Sequence, residues 1–182
     1  VSTYADPSKA VVWLDGDAFR APAGTALPAD IFAASLSGWE AFGGIKAGFT
    51  VQRTQEITKF TIFNANGTYL SVKGDEDGTI KMRPVDMSKA TALTLLTGGS
   101  IVAAAGGYEW VKGDDEKFAY ICRVSAGTRR KAYFLKKSEL ANIPDDVLND
   151  EDLAGWDMEI SPLIPDDGSR FIRVFTESNP LA

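Results

Sequence analysis

Apolar residues in this chain recur in short runs, often at every second position, broken by Gly, Asp and Asn. That is the pattern of half-buried β-strands. The runs AVVWL (10–14) and AFRA (18–21) flank Asp15-Gly16-Asp17, a polar turn in which Gly16 is free to take a positive φ. They predict a short hairpin or a bulged strand. Residues 49–63 (FTVQRTQEITKFTIF) are rich in Thr, Val, Ile and Phe, side chains that suit a pleated surface. Their alternation changes phase, since one parity holds Phe49, Val51, Ile57 and Phe63 and the other holds Phe60 and Ile62. The buried face is therefore expected to switch part-way. At about 3.3 Å per residue such a segment reaches about 45 Å, long enough to project from the body. Asn66-Gly67 predicts a type I′ turn, because both residues tolerate positive φ. TYLSV (68–72) and TIKMRPV (79–85), separated by an exposed loop KGDEDG (73–78), then complete a three-strand meander over about residues 50–85.

One segment has helical spacing. In DMSKATALTLLTGG (86–99), Asp86 or Ser88 can cap the start, Ala92, Leu93, Leu95 and Leu96 recur near 3.6 residues, and Gly98-Gly99 supplies a stop. Three strands are predicted next: YEWVK (108–112), KFAYICRV (117–124) and RRKAYFLKK (129–137). The acidic stretch 138–156, interrupted by Pro144, reads as loop or short turns. Two strands close the chain within 156–164 and 169–175, around the turn PDDG. Eight or nine strands with one flanking helix predict a mainly β sandwich or barrel carrying a long projecting hairpin. The 182 residues are expected to form a single domain, with 1–15 as N-terminal arm or first strand and 176–182 as C-terminal tail.

Charge and residue chemistry narrow the function. Nineteen basic residues against 25 acidic ones leave a net charge of −6, the opposite of the basic footprint that tight phosphate binding requires. The chain has no histidine, which removes Ser-His-Asp, Cys-His and His-ligated zinc chemistry. Its single cysteine, Cys122, lies in an apolar run and reads as a buried thiol in a reducing compartment. No run reaches the roughly 18 apolar residues of a membrane span, and the start lacks a signal-peptide pattern, so a soluble, unsecreted chain is expected. The clusters Asp75-Glu76-Asp77, Asp145-Asp146 and Asp150-Glu151-Asp152 lack the spacing of a calcium loop and read as solvated. No metal, cofactor or catalytic set emerges, and the expectation is a protein that is not an enzyme. A long hairpin is marginal by itself, and an edge without proline offers its N–H and C=O groups to another chain. Self-assembly through strand pairing follows.

The segment GDAFRAPAGTALPAD (16–30), followed by GWEAFGGIKAGFT (38–50), a strand meander and a helix, resembles the start of the major tail proteins. These are the tail tube subunits of long-tailed, non-contractile bacteriophages infecting actinobacteria. The resemblance rests on Gly16 and Phe19, on Ala21, Pro22, Gly24, Thr25 and Pro28, and on Gly38, Trp39 and Gly43; it is continuous to about Ser100 and general thereafter. It implies a β-sandwich of the tail tube type, assembled as hexameric rings that stack into a conduit for genome delivery. The chain would work in the virion tail after assembly in the host cytoplasm. Its partners would be other copies of itself and the tape measure, tail tip and tail terminator proteins, with DNA as transient, unbound cargo. Residues 21–30 would cross onto a neighbouring subunit, their prolines limiting the entropy lost on ordering. Candidate interface residues are Ala21, Pro22, Gly24, Thr25 and Pro28, with Phe60, Ile62, Asn66, Gly67 and Tyr69 on the hairpin. Asp75, Glu76 and Asp77 are candidates for a lumen surface that repels phosphate. The rival reading is a monomeric β-sandwich that binds carbohydrate or protein through Trp39, Trp110 or Trp156, residues otherwise expected in the core.

Overall fold

The computed structural model describes residues 6–64, 66–146, 148–179 and 181. Residues 1–5 of the expected arm, and 180 and 182 of the expected tail, lie outside the described residues. After a 3-10 turn at Pro7–Lys9 come β1 (Asp15–Pro22), β2 (Glu40–Ala41), β3 (Ile45–Phe60), β4 (Leu70–Pro84) and α1 (Lys89–Leu96). There follow β5 (Ser100–Ala104), β6 (Gly107–Val111), β7 (Phe118–Ala126), β8 (Arg129–Leu140), β9 (Met158–Pro162) and β10 (Arg173–Thr176). The protein is mainly β with one α-helix among the described residues. Every pairing is antiparallel, in an eight-stranded sheet ordered β2-β1-β7-β8-β9-β4-β3, with β10 also paired to β8. β5 and β6 form a separate two-stranded sheet.

The sheet has two apolar faces. Alternate residues of β1, β4, β7 and β9 point into the first core, where Ala18, Ile80, Met82, Tyr120, Cys122 and Ile160 meet Phe42 and Trp156. The opposite parity, Phe19, Ile121 and Phe134, forms a second core under the loop 23–39, with Ile31 and Leu36. The sheet curls until β3 approaches β1. A Cβ on Gly16 would lie 3.0 Å from Phe49 Cε2 and 3.0 Å from the Arg123 carbonyl oxygen, so the hydrogen side chain permits this closure.

Several expectations are corrected. Asp15-Gly16-Asp17 is no turn: it opens β1 and pairs with Val124 and its neighbours on β7, while residues 10–14 are not a strand. The charge-rich 73–78 segment is no loop but the middle of β4, so the meander is a single long hairpin. Pairing with β3 on both sides of a bulge at Gly74-Asp75 overrides the weak strand preference of Gly and Asp there. The turn at Asn66-Gly67 lies within a nine-residue connection, 61–69, instead of a two-residue one. Strand β5 has no counterpart among the expected strands, since Ala103 and Ala104 dilute the strand preference of Ile101 and Val102. The helix is shorter than its pattern, capped by Ser88, whose Oγ accepts from Thr91 N at 3.1 Å, and ended by Thr97 at φ 46°.

Candidate assembly surface

The β3–β4 hairpin changes character at Gly78. Inward of it, Phe49 and Val51 on β3 pack against the core beside Ile80 and Met82 of β4. Outward of it, residues 52–60 and 70–77 are all exposed. The register places Phe60 opposite Leu70 and Thr58 opposite Val72, so these four share a face; Ile57 and Lys59 lie on the other, opposite Lys73 and Ser71. Ile57 thus keeps the odd parity of Phe49 and Val51 while Phe60 takes the even one, and the expected switch of a buried face does not occur, because neither face is buried beyond Val51. A register shift lies between Gln55 and Ile57. β9 pairs with β4 only at Ile80, Lys81 and Met82, and β3 is the last strand of its sheet. The distal hairpin therefore has both edges and both faces open. An isolated two-stranded ribbon of this kind is marginal in water, and neither distal strand carries a proline; the charges and the bulge along it limit which partner strand can pair there.

Five of the predicted residues sit on or beside this tip: Phe60, Ile62, Asn66, Gly67 and Tyr69 are all exposed, Tyr69 at 69%. The other five are elsewhere. Ala21 is buried in β1 beneath its own chain, whereas Pro22 and Gly24 are exposed and Thr25 and Pro28 half-buried. This segment is tied to its own sheet, because Gly24 N donates to the Lys136 carbonyl at 2.9 Å and Thr25 Oγ1 to the Pro22 carbonyl at 2.6 Å. It leads into the loop whose Leu27, Ile31 and Leu36 cover the second core. The stiff 21–30 stretch thus starts a cover over a sheet face, held further by Arg123, which bonds Asp17 Oδ2 at 2.8 Å and the Ile31 carbonyl at 3.3 Å.

Asp75, Glu76 and Asp77 are exposed on β4. Glu76 pairs with Arg53 at 2.5 Å, which leaves Asp75 and Asp77 as the negative groups of that stretch. Among the described residues no three metal-ligating side chains converge, and no helix is long and apolar enough to cross a membrane. Of the three tryptophans weighed for binding, Trp156 is buried and Trp39 half-buried against Phe134, but Trp110 is 42% exposed; the fourth, Trp13, is exposed as well.

Trp110 belongs to the surface that sequence reasoning missed. On β5–β6 the pairs Ile101–Trp110 and Ala103–Tyr108 share one face, and every residue of both strands is exposed. The base of this arm is tightly packed, and Gly113 N ties it to the end of α1 by donating to the Leu96 carbonyl at 2.8 Å. A Cβ on Gly99 would lie 1.9 Å from the Val111 carbonyl oxygen, and one on Gly113 would lie 2.6 Å from that of Thr97. The signal was present as Ala105-Gly106-Gly107 between two apolar runs, with Gly106 at φ 82° as the turn requires. No protein-family model matches this chain, and no curated protein matches it either.

Proposed function

We propose that this chain is a structural subunit of a long-tailed phage, assembling into stacked hexameric rings that form the tail tube. The observation that carries the reading is the distal β3–β4 hairpin, whose two edges are open and whose apolar residues Phe60, Leu70 and Val72 have no cover. A strand pair with those properties gains most by joining strands of neighbouring copies, which closes edges and buries the apolar face together. The resemblance over residues 16–100 supplies the ring and tube arrangement, the virion tail as location and the other tail proteins as partners. Asp75 and Asp77 would give such a conduit a surface from which phosphate is repelled. The function is mechanical, with no reaction and no bound cofactor.

Negative-stain microscopy and sedimentation of the purified chain at rising concentration test this. Rings or tubes are expected. A monomer that persists at all concentrations, and in the presence of isolated tails, overturns it. A second reading, a monomeric module that binds carbohydrate, draws on Tyr108 and Trp110 lying on one exposed face. A monomer whose tryptophan fluorescence shifts with glycans supports that reading instead.

A further inference from the structure

The sheet forks beside Gly78. β10 continues the line of β9 along β8, pairing Arg173–Thr176 with Phe134–Lys131, while β4 leads away into the distal hairpin. Between the two branches lies a groove of about 480 Å³, lined by Arg53 and Glu76 on the hairpin side and by residues 170–175 on the other. Ile172 stands at its closed end, where a Cβ on Gly78 would approach Ile172 Cδ1 to 3.0 Å. Among the described residues β10 pairs with β8 alone, so its second edge is open to the groove.

The groove is basic. Arg170 and Arg173 have no acidic partner among the described residues, and Arg173 is stacked over Phe134 and Phe175, at 5.9 and 5.2 Å. The β5–β6 arm and its base carry two unpaired acidic groups and one basic one, Lys112. Its Glu109, and Asp114 at its base, carry no ion pair among the described residues, and its outer edges are likewise unpaired. Strand directions separate the two features. The arm and α1 stand at the end of the sheet where Pro22, Phe118 and Ser138 align; the distal hairpin runs toward the end of the β7–β8 turn.

We propose that the β5–β6 arm of one copy lies in the groove between β10 and the distal hairpin of the next, adding a strand to the open edge of β10. Glu109 and Asp114 then face Arg170 and Arg173, and Tyr108 and Trp110 cover apolar surface at the fork. Because arm and groove are different surfaces of the chain, the contact is head-to-tail and repeats from copy to copy. This specifies a contact within the self-assembly proposed above and rests on that reading.

Paired cysteines test it cleanly, since the native Cys122 is buried. Wild-type protein is first sedimented to establish assembly. Tyr108→Cys and Val174→Cys are then made singly and together, and assembled material is oxidised and run on non-reducing gels. The double variant is expected to give a ladder of covalent multimers, and a mixture of the two single variants to give dimers containing one of each. Assemblies that form without such cross-links, or single variants that cross-link to themselves, overturn the arm-in-groove contact and leave self-assembly standing. Failure of the wild type to self-associate overturns both. Should the double variant misfold, Arg170→Glu serves in its place. It is expected to weaken assembly at least tenfold, with recovery on adding Glu109→Lys, and unchanged assembly by Arg170→Glu overturns the contact.

Discussion

At the scale of residues, three positions carry sharp physical demands. Arg20 is 3% exposed, paired with Glu116 at 2.5 Å and stacked 4.8 Å over Phe118, with Nε and Nη1 lacking hydrogen-bond partners. Glu116→Gln is expected to destabilise the fold by about 3 kcal/mol, because a buried guanidinium without its counter-ion costs more than the pair itself contributes. Glu116 remains partly solvated, which holds the effect to the low end of the range for buried pairs. Urea denaturation measures it, and a loss below about 1 kcal/mol would contradict the account. Ala47, at φ 61°, sits in the left-handed region beside Gly48, in the irregular stretch of β3. Ala47→Gly is expected to raise stability by about 1 kcal/mol, read as a higher melting temperature. Burial pushes the Cys122 thiol up to about 12. At about pH 9 only about one thiol in a thousand would be ionised, so iodoacetamide should label native protein slowly and denatured protein at once. Equal rates in both states would rule this out.

At the scale of elements, the connection between β9 and β10 is held by charge. Lys136 and Lys137 of β8 pair with Asp167 and Asp166, and Ser169 N donates to Asp167 Oδ1 at 3.1 Å. The Lys136 ammonium and the Ser169 donors hold the Asp167 carboxyl well below the usual carboxylate range. A depressed folded-state value means that this contribution is fully present above the ordinary Asp range, near pH 4. It is lost as pH falls through the lower folded value. The backbone amides of Gly168 and Ser169 should accordingly keep their hydrogen-exchange protection down to about pH 4 and lose it progressively below, and Asp167→Asn should abolish the pH dependence. A protection profile that is flat across this range, or unchanged in Asp167→Asn, would contradict the assignment. The β3–β4 hairpin is the larger lesson at this scale. Its reach beyond the body was legible in the length of the run 49–63, since each strand residue adds a fixed rise. The continuity of β4 through Gly74–Gly78 was not legible, because local preference there opposes a strand and only the partner strand supplies the hydrogen bonds.

At the scale of the whole molecule, stability and assembly draw on separate residues. The two cores lie on the body, while Phe60 and Leu70 contribute nothing to either. Phe60→Ser with Leu70→Ser is therefore expected to leave unfolding free energy within about 0.5 kcal/mol while reducing assembly at least tenfold, read by sedimentation. Loss of fold in the monomer would place the hairpin inside the core and contradict this division.

The order of apolar and polar residues determined by itself that this chain builds strands, that one short helix interrupts them, and that the long third strand reaches beyond the body. Those are local properties of a pleated or helical backbone. Only the tertiary structure decided that 21–30 begins a cover over the sheet, that β10 lies beside β9 with an open edge, and that two apolar arms leave from opposite ends. Each of these depends on which distant strands meet and in what register, and loop lengths and side-chain types leave that choice to packing.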